Sequence, residues 1–281
     1  MVDEENKEVM LLVSSATEKN YKFQIIDFID SNLVKTKFIE SSYTILDTSE
    51  NTVFIHVNHF GSQSKYGHIY ISDPLGEKYS LSLHNNIRVN KKCDFESIKG
   101  IDGIYITNVI NADWMNNAKQ ELQEEEMREK GSMGAVKFEY MGDKENKISA
   151  KQKMNQMMDF IETYITFNKG GLWHRLKPPE TDLNGKPFPC SNSTTTHCSL
   201  HLHSVSSNAP FLYSVSSAVG IIIANGNVGE YLLEANSSGI STFMSRDAGL
   251  SWFEIRKGAH IYEIGNHGGI IVLRYSSSQR L

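Results

Sequence analysis

The sequence has 281 residues, 40% of them hydrophobic and 22% charged, with a formal net charge of −5 and a pI near 6.1. This is globular composition, which excludes collagen, a long coiled coil or a disordered tail. The absence of a long basic run argues against a nucleic-acid surface, and no run of 18 apolar residues is present to span a membrane.

The chain opens on an acidic, polar stretch at residues 1–7, which is no secretory signal peptide. Strand-like runs then recur between turn residues. They fall at residues 43–46, 52–57, 69–71, 80–83, 103–106, 164–165, 174–176, 219–223, 242–244, 253–255, 261–264 and 269–273. They are rich in β-branched and aromatic residues and bounded by Gly, Asn, Asp or Ser clusters, which predicts an all-β fold of sandwich, barrel or propeller type. Residues 111–159 break the pattern, with 10 acidic residues, 8 basic residues and 7 of the chain's 10 methionines. Residues 118–130 favour helix, but Gly131 and Gly134 interrupt it, so a charged surface insertion is expected. A Met-rich helix there could bind a partner, against the blander reading of a solvated loop expansion.

An internal repeat organises the strands. Ser245-Arg246-Asp247-Ala248-Gly249-Leu250-Ser251-Trp252 fits Ser-x-Asp-x-Gly-x-(Thr/Ser)-Trp, an Asp box. Thr166, Asn168, Gly170 and Trp173 keep the same frame with Asn for Asp, while Ser72, Gly76 and Tyr79 keep its first, fifth and eighth positions. Strand-like runs flank each copy, so each is read as a hairpin turn. The short acid or amide suits hydrogen bonds from turn N–H groups, the glycine suits positive φ, and the aromatic suits packing under the turn. The box is therefore structural and catalyses nothing by itself. The copies start 94 and 79 residues apart, and removing the 49-residue insertion from the first interval leaves 45. That is about the size of one four-stranded propeller blade. Further hairpins are expected at residues 46–56, at Asn225-Gly226-Asn227 and at residues 265–268.

Several segments together resemble the VPS10 domain of sortilin-type sorting receptors. They are Gly103-Ile104-Tyr105-Ile106-Thr107-Asn108-Val109, residues 164–173, Cys198-Ser199-Leu200-His201-Leu202-His203, residues 217–226 and residues 261–272. The Asp boxes alone are shared with sialidases, whereas the Cys-Ser-Leu-His-Leu-His segment between two boxes is far more specific. The resemblance implies part of a ten-bladed β-propeller, with about three full blades and two partial ones across residues 1–281. It also implies a non-enzymatic, cargo-binding role in intracellular protein sorting, on the lumenal side of Golgi or endosomal membranes, within a type I membrane protein. The expected partners are protein or peptide cargo, with no nucleic acid, and with membrane attachment only through parts of the receptor outside this sequence. The missing leader and anchor are read here as truncation.

The resemblance also places a disulfide at Cys190 and Cys198, which form a short loop; from the residues alone, two free thiols fit equally well. Cys93 is left over and expected to be free. His197, Cys198, His201 and His203 resemble a metal cluster, and in a strand His201 and His203 share one face. No second Cys/His group sits at ligand spacing, so polar-surface strand histidines, no metal and no cofactor are expected. Asn192-Ser193-Thr194 and Asn236-Ser237-Ser238 are glycosylation sequons, meaningful in a lumenal chain. Tyr43, heading a strand, is the ligand-contact candidate by resemblance. The alternative function is an Asp-box glycosidase or sialidase-like enzyme, which would need several converging arginines and a Tyr/Glu pair.

Overall fold

Runs of Ile, Val, Tyr and Phe bounded by Asn, Gly and Ser favour pleated strands, which can bury those side chains on one or both faces. The computed structural model describes residues 43–49, 51–58, 64–76, 78–89, 92–113, 160–188, 198–204 and 212–276, with backbone alone at Tyr213 and for strands at 8–17, 20–29 and 36–37. The strands are antiparallel throughout. β1 (Glu8–Thr17), β2 (Asn20–Ile29) and β3 (Thr36–Lys37) form a first small sheet in that order.

Three larger units follow. In the first, β4 (Tyr43–Asp47), β5 (Phe54–Val57), β6 (Tyr66–Ser72) and β7 (Tyr79–Val89) form a meander, and β8 (Lys92–Cys93) pairs with the end of β7. The second contains β9 (Glu96–Ser97), β10 (Tyr105–Ile110), β11 (Ile161–Thr166) and β12 (His174–Arg175), and meets the first through one pairing, Val109 with Asn86. In the third, β13 (Ser199–Leu202) and β14 (Tyr213–Ser214) both pair with β15 (Ile222–Gly229), which continues to β16 (Ser241–Ser245) and β17 (Phe253–Lys257). A hairpin of β18 (His260–Gly265) and β19 (Ile270–Tyr275) completes the described chain. No sheet among the described residues closes on itself. No helix among them is long and apolar enough to cross a membrane.

The units stack face to face. Phe54 and Ile69 of the first unit pack on Tyr105 of the second, with Phe95 and Trp173 at the edge of the cluster. Ile106 and Ile165 of the second pack on Leu200, Ile222, Phe243 and Trp252 of the third. Ile223 and Met244 of the third meet Tyr262 of the final hairpin. A sheet covered on both sides loses the inside–outside alternation, and every residue of β5, β10, β13 and β16 is buried. The β18–β19 hairpin differs. Tyr262, Ile264, Ile271 and Leu273 face the third unit, while Ile261, Ile270 and Val272 are exposed on the opposite face.

Two local expectations need correction. The run at 219–223 is strand only from Ile222; Ala218 and Ile221 close a turn through an N–H···O bond of 3.1 Å. Asn225-Gly226-Asn227 is no hairpin but lies inside β15, paired on both sides with β13 and β16. Tertiary packing overrides the turn propensity here. A Cβ on Gly226 would overlap the His201 carbonyl, so glycine is what lets β13 approach. Of the charged segment expected at 111–159, residues 114–159 lie outside the described residues.

Candidate functional site

Each box motif sits on a hairpin: β6–β7, β11–β12 and β16–β17. Gly76, Gly170 and Gly249 have φ of 70°, 79° and 97°. Asp247 Oδ1 accepts from the Ser251 N–H at 2.8 Å, and its Oδ2 accepts from the Ser251 hydroxyl at 2.5 Å. Burial works against its charge, but these bonds and that from Ser245 leave its pKa below the ordinary value. Asn168 Oδ1 takes the same place in the second copy, accepting from the Leu172 N–H at 2.8 Å. In the first copy Asp73, one position early, accepts from the Lys78 N–H at 3.3 Å.

The aromatics reach beyond their own turns. Trp252 donates to the Gly249 carbonyl at 3.1 Å and is buried between the second and third units. Trp173 donates instead to Ser82 Oγ of the first unit at 3.0 Å, and that hydroxyl donates to the Gly170 carbonyl at 2.6 Å. The second box thus docks on the preceding unit.

A second repeated device is not visible in the motif. Thr163 and Thr242 each lie three residues before a box and face an asparagine across the ladder, Asn108 and Asn225. Thr163 Oγ1 donates to Asn108 Oδ1 at 2.6 Å and accepts from the Leu202 N–H at 2.9 Å, while Asn108 Nδ2 donates to the Leu202 carbonyl at 3.0 Å. Thr242 Oγ1 lies 2.8 Å from Asn225 Oδ1, and Asn225 bonds both the N–H and the carbonyl of His260, at 2.9 and 2.8 Å. Each pair thereby grips the first strand of the next unit. The first unit has Ile69 and His56 at the corresponding register. Its joint runs through Asn86, which donates to the Asp94 carbonyl at 2.6 Å and to Thr107 Oγ1 at 2.7 Å.

The histidines are not surface residues. His201 is fully buried and His203 nearly so, because β13 lies between two sheets. Burial pulls both imidazoles down to about 4; backbone carbonyls at Gly229 and Glu230 partly oppose this at His201. Among the described residues, no group of three His, Cys, Asp or Glu side chains is placed to hold a metal ion. Cys198 is disulfide-bonded, whereas Cys93 is free and buried. Cys190, Asn192 and His197 lie outside the described residues. Asn236 is exposed in the turn closed by the Ser237 N–H and the Glu234 carbonyl at 2.9 Å. Tyr43 heads β4, the terminal strand of its sheet, and is half-buried against the cluster of Ile55, Val57, Tyr70 and Tyr79.

One titratable cluster has enzyme-like parts. Arg175 Nη2 lies 2.9 Å from Glu162 Oε1, Tyr164 donates to Glu162 Oε2 at 3.2 Å, and Asn111 donates to Oε1 at 3.1 Å. This is a Tyr/Glu pair with one arginine. However, Glu162 is only 1% exposed and already spans its partners. The tyrosine hydroxyl is pushed up, first by burial and then by the Glu162 charge, so it stays protonated and is a poor nucleophile. Arg246 and Arg256 belong to the third unit.

Comparison with known proteins is specific. The family model described as Sortilin, neurotensin receptor 3 (Sortilin-Vps10) matches residues 1–280. A vacuolar protein sorting/targeting protein 10 of Debaryomyces hansenii is 31% identical over 241 residues, covering 83% of this chain and 12% of that protein. Its namesake in Aspergillus terreus is 34% identical over 242 residues, covering 84% of this chain and 14% of that protein. An uncharacterised membrane glycoprotein of Saccharomyces cerevisiae is 33% identical over 240 residues, covering 83% and 18% respectively. The chain therefore spans less than a fifth of the length of these relatives.

Proposed function

The chain belongs to the Sortilin-Vps10 family, and from that premise we propose that it is part of the cargo-binding β-propeller of a receptor that sorts proteins. The observation that carries this reading is the family match over residues 1–280 joined to a series of box-bearing four-stranded units stacked face to face. Names given to the relatives support it, since several are vacuolar protein sorting/targeting proteins. The cargo is protein or peptide, and the chain acts on the lumenal side of Golgi or endosomal membranes without catalysing a reaction. Membrane attachment belongs to other parts of the receptor.

Within this reading, Cys190 and Cys198 are bridged, Asn192 and Asn236 carry glycans, and Tyr43 contacts cargo. Residues 72–79, 166–173 and 245–252 are structural boxes, and the 111–159 segment is a charged surface insertion. The Tyr164–Glu162–Arg175 cluster is the one observation that favours the glycosidase alternative. The two readings separate in one experiment. The 281-residue chain, secreted and immobilised, is screened against a peptide array and, in parallel, against sialosides and glucans. Saturable peptide capture, weakened by Tyr43→Ala, is the expected result; steady turnover of a sialoside or glucan overturns the receptor reading.

A further inference from the structure

A neutral imidazole offers one donor and one acceptor, and which nitrogen does which is set by its partners. His201 Nε2 lies 3.1 Å from the Gly229 carbonyl oxygen, which can only accept. Its Nδ1 lies 3.3 Å from the backbone nitrogen of Thr163, which can only donate. The proton is therefore on Nε2, Nδ1 is bare, and the Ser199 hydroxyl, 3.2 Å from Nε2, is a second neighbour of the same N–H. Gly229 belongs to the third unit and Thr163 to the second, so this one ring ties two sheets together.

We propose that the joint between the second and third units is a proton-sensitive latch, opened when His201 takes a second proton on Nδ1. That proton would face the Thr163 N–H, setting a donor against a donor, and the bond would be lost. Thr163 also holds the Leu202 N–H and Asn108 through its hydroxyl, so the disturbance falls on the residue that grips the joint. No charge around the ring compensates. From β12 comes the cation Arg175, which disfavours imidazolium. From β11 come Glu162, already paired with that arginine, and Tyr164. From the segment after β15 come Tyr231 and Glu230, and Glu230 meets the imidazole through its backbone carbonyl. His203, the other titratable group beside His201 on this segment, is itself buried.

The direction follows from linkage. The unfolded imidazole titrates near its ordinary value of about 6.5, and the folded one at about 4, chiefly because of burial. The latch is thus whole above that ordinary value and is lost as the pH falls from there toward 4.

The test is amide hydrogen exchange on the full chain at pH 7 and pH 4.5, corrected for intrinsic rates, with the Thr163 amide as readout. The Asn111 amide, bonded to Phe160 at 2.9 Å, is the internal reference. Thr163 should lose about tenfold or more of its protection relative to Asn111, as one linked proton gives up to tenfold per pH unit. His201→Gln keeps an acceptor and a donor without titrating, and should remove most of that loss. Unchanged Thr163 protection in the unaltered chain overturns the proposal, as does an equal acid loss in H201Q. If H201Q fails to fold, nitrogen NMR of His201 in the unaltered chain decides. A bare Nδ1 with titration well below the ordinary histidine range supports the latch, and an Nδ1–H tautomer or ordinary titration overturns it.

Discussion

Thr163→Val is the sharpest probe of how the units are joined. The change keeps a β-branched side chain of nearly the same volume in the middle of β11, so strand propensity and packing are conserved. What it removes is one hydroxyl with two buried partners: the Leu202 N–H at 2.9 Å and Asn108 Oδ1 at 2.6 Å. Neither partner regains water, because Asn108 and Leu202 are buried. Each orphaned buried group costs about 1–3 kcal/mol, so an overall loss of about 2–4 kcal/mol is expected after the added methyl is credited. For a chain of this size that corresponds to a fall of roughly 5–12 °C in melting temperature. Urea denaturation followed by circular dichroism gives the free energy, with exposed Thr181→Val as the control for loss of a threonine hydroxyl. Thr242→Val should behave like Thr163→Val, because its hydroxyl lies 2.8 Å from Asn225 Oδ1 and 2.9 Å from His260 Nδ1. A loss below about 1 kcal/mol at both positions, indistinguishable from the control, would refute the idea that these hydroxyls hold the joints.

Other outcomes follow from the same geometry. Arg175→Met leaves the buried Glu162 carboxylate with only Tyr164 and Asn111; a cost of about 2–3 kcal/mol is expected, less than for a fully buried pair because the arginine side chain is 32% exposed. Adding Glu162→Gln should recover part of that loss in the same denaturation assay. Gly226→Ala drives a methyl into the His201 carbonyl and should cost about 3 kcal/mol or abolish the folded state, seen as loss of the cooperative urea transition. Asp247→Asn should be mild and Asp247→Ala costly by about 1–2 kcal/mol, because Asn168 shows that an amide suffices at this position. Thiol titration should find no reactive cysteine in the native chain, since burial pushes Cys93 up to about 11. One thiol should appear on unfolding without reductant, and all 3 of the chain's cysteines after reduction.

The strands and box hairpins were legible because their causes are local. Residues 54–57, 69–71 and 242–244 are β-rich over a few positions, and the boxes carry a glycine and an acid or amide at fixed offsets. The joints were not legible, because their partners are far apart in sequence: Thr163 and Asn108 are separated by 55 residues, Asn108 and Leu202 by 94. Single polar residues in a strand read as solvent-facing until a second sheet covers that face. The same cause misdirected the reading of His201 and His203, whose alternation suits a half-exposed strand but whose strand is covered on both sides. Asn225-Gly226-Asn227 carries strong turn signals, overridden by two flanking strands. One clue was present: a threonine three residues before two of the three boxes, in phase with Ile165 and Met244, which pack on the next unit.

The unequal construction of the joints bears on how such units can diverge. Between the first and second units an aromatic cluster of Phe54, Tyr105 and Phe95 carries much of the contact, with ring centroids about 5 Å apart. Apolar packing of this kind accepts gradual drift, one volume-conserving exchange at a time. The Asn–Thr joints allow no such path, because losing either member strands a buried group before a second change can repair it. Descendants of a duplicated unit should therefore vary gradually at the aromatic residues of the first boundary, whereas its Asn86 and the Asn–Thr pairs change only in concerted steps.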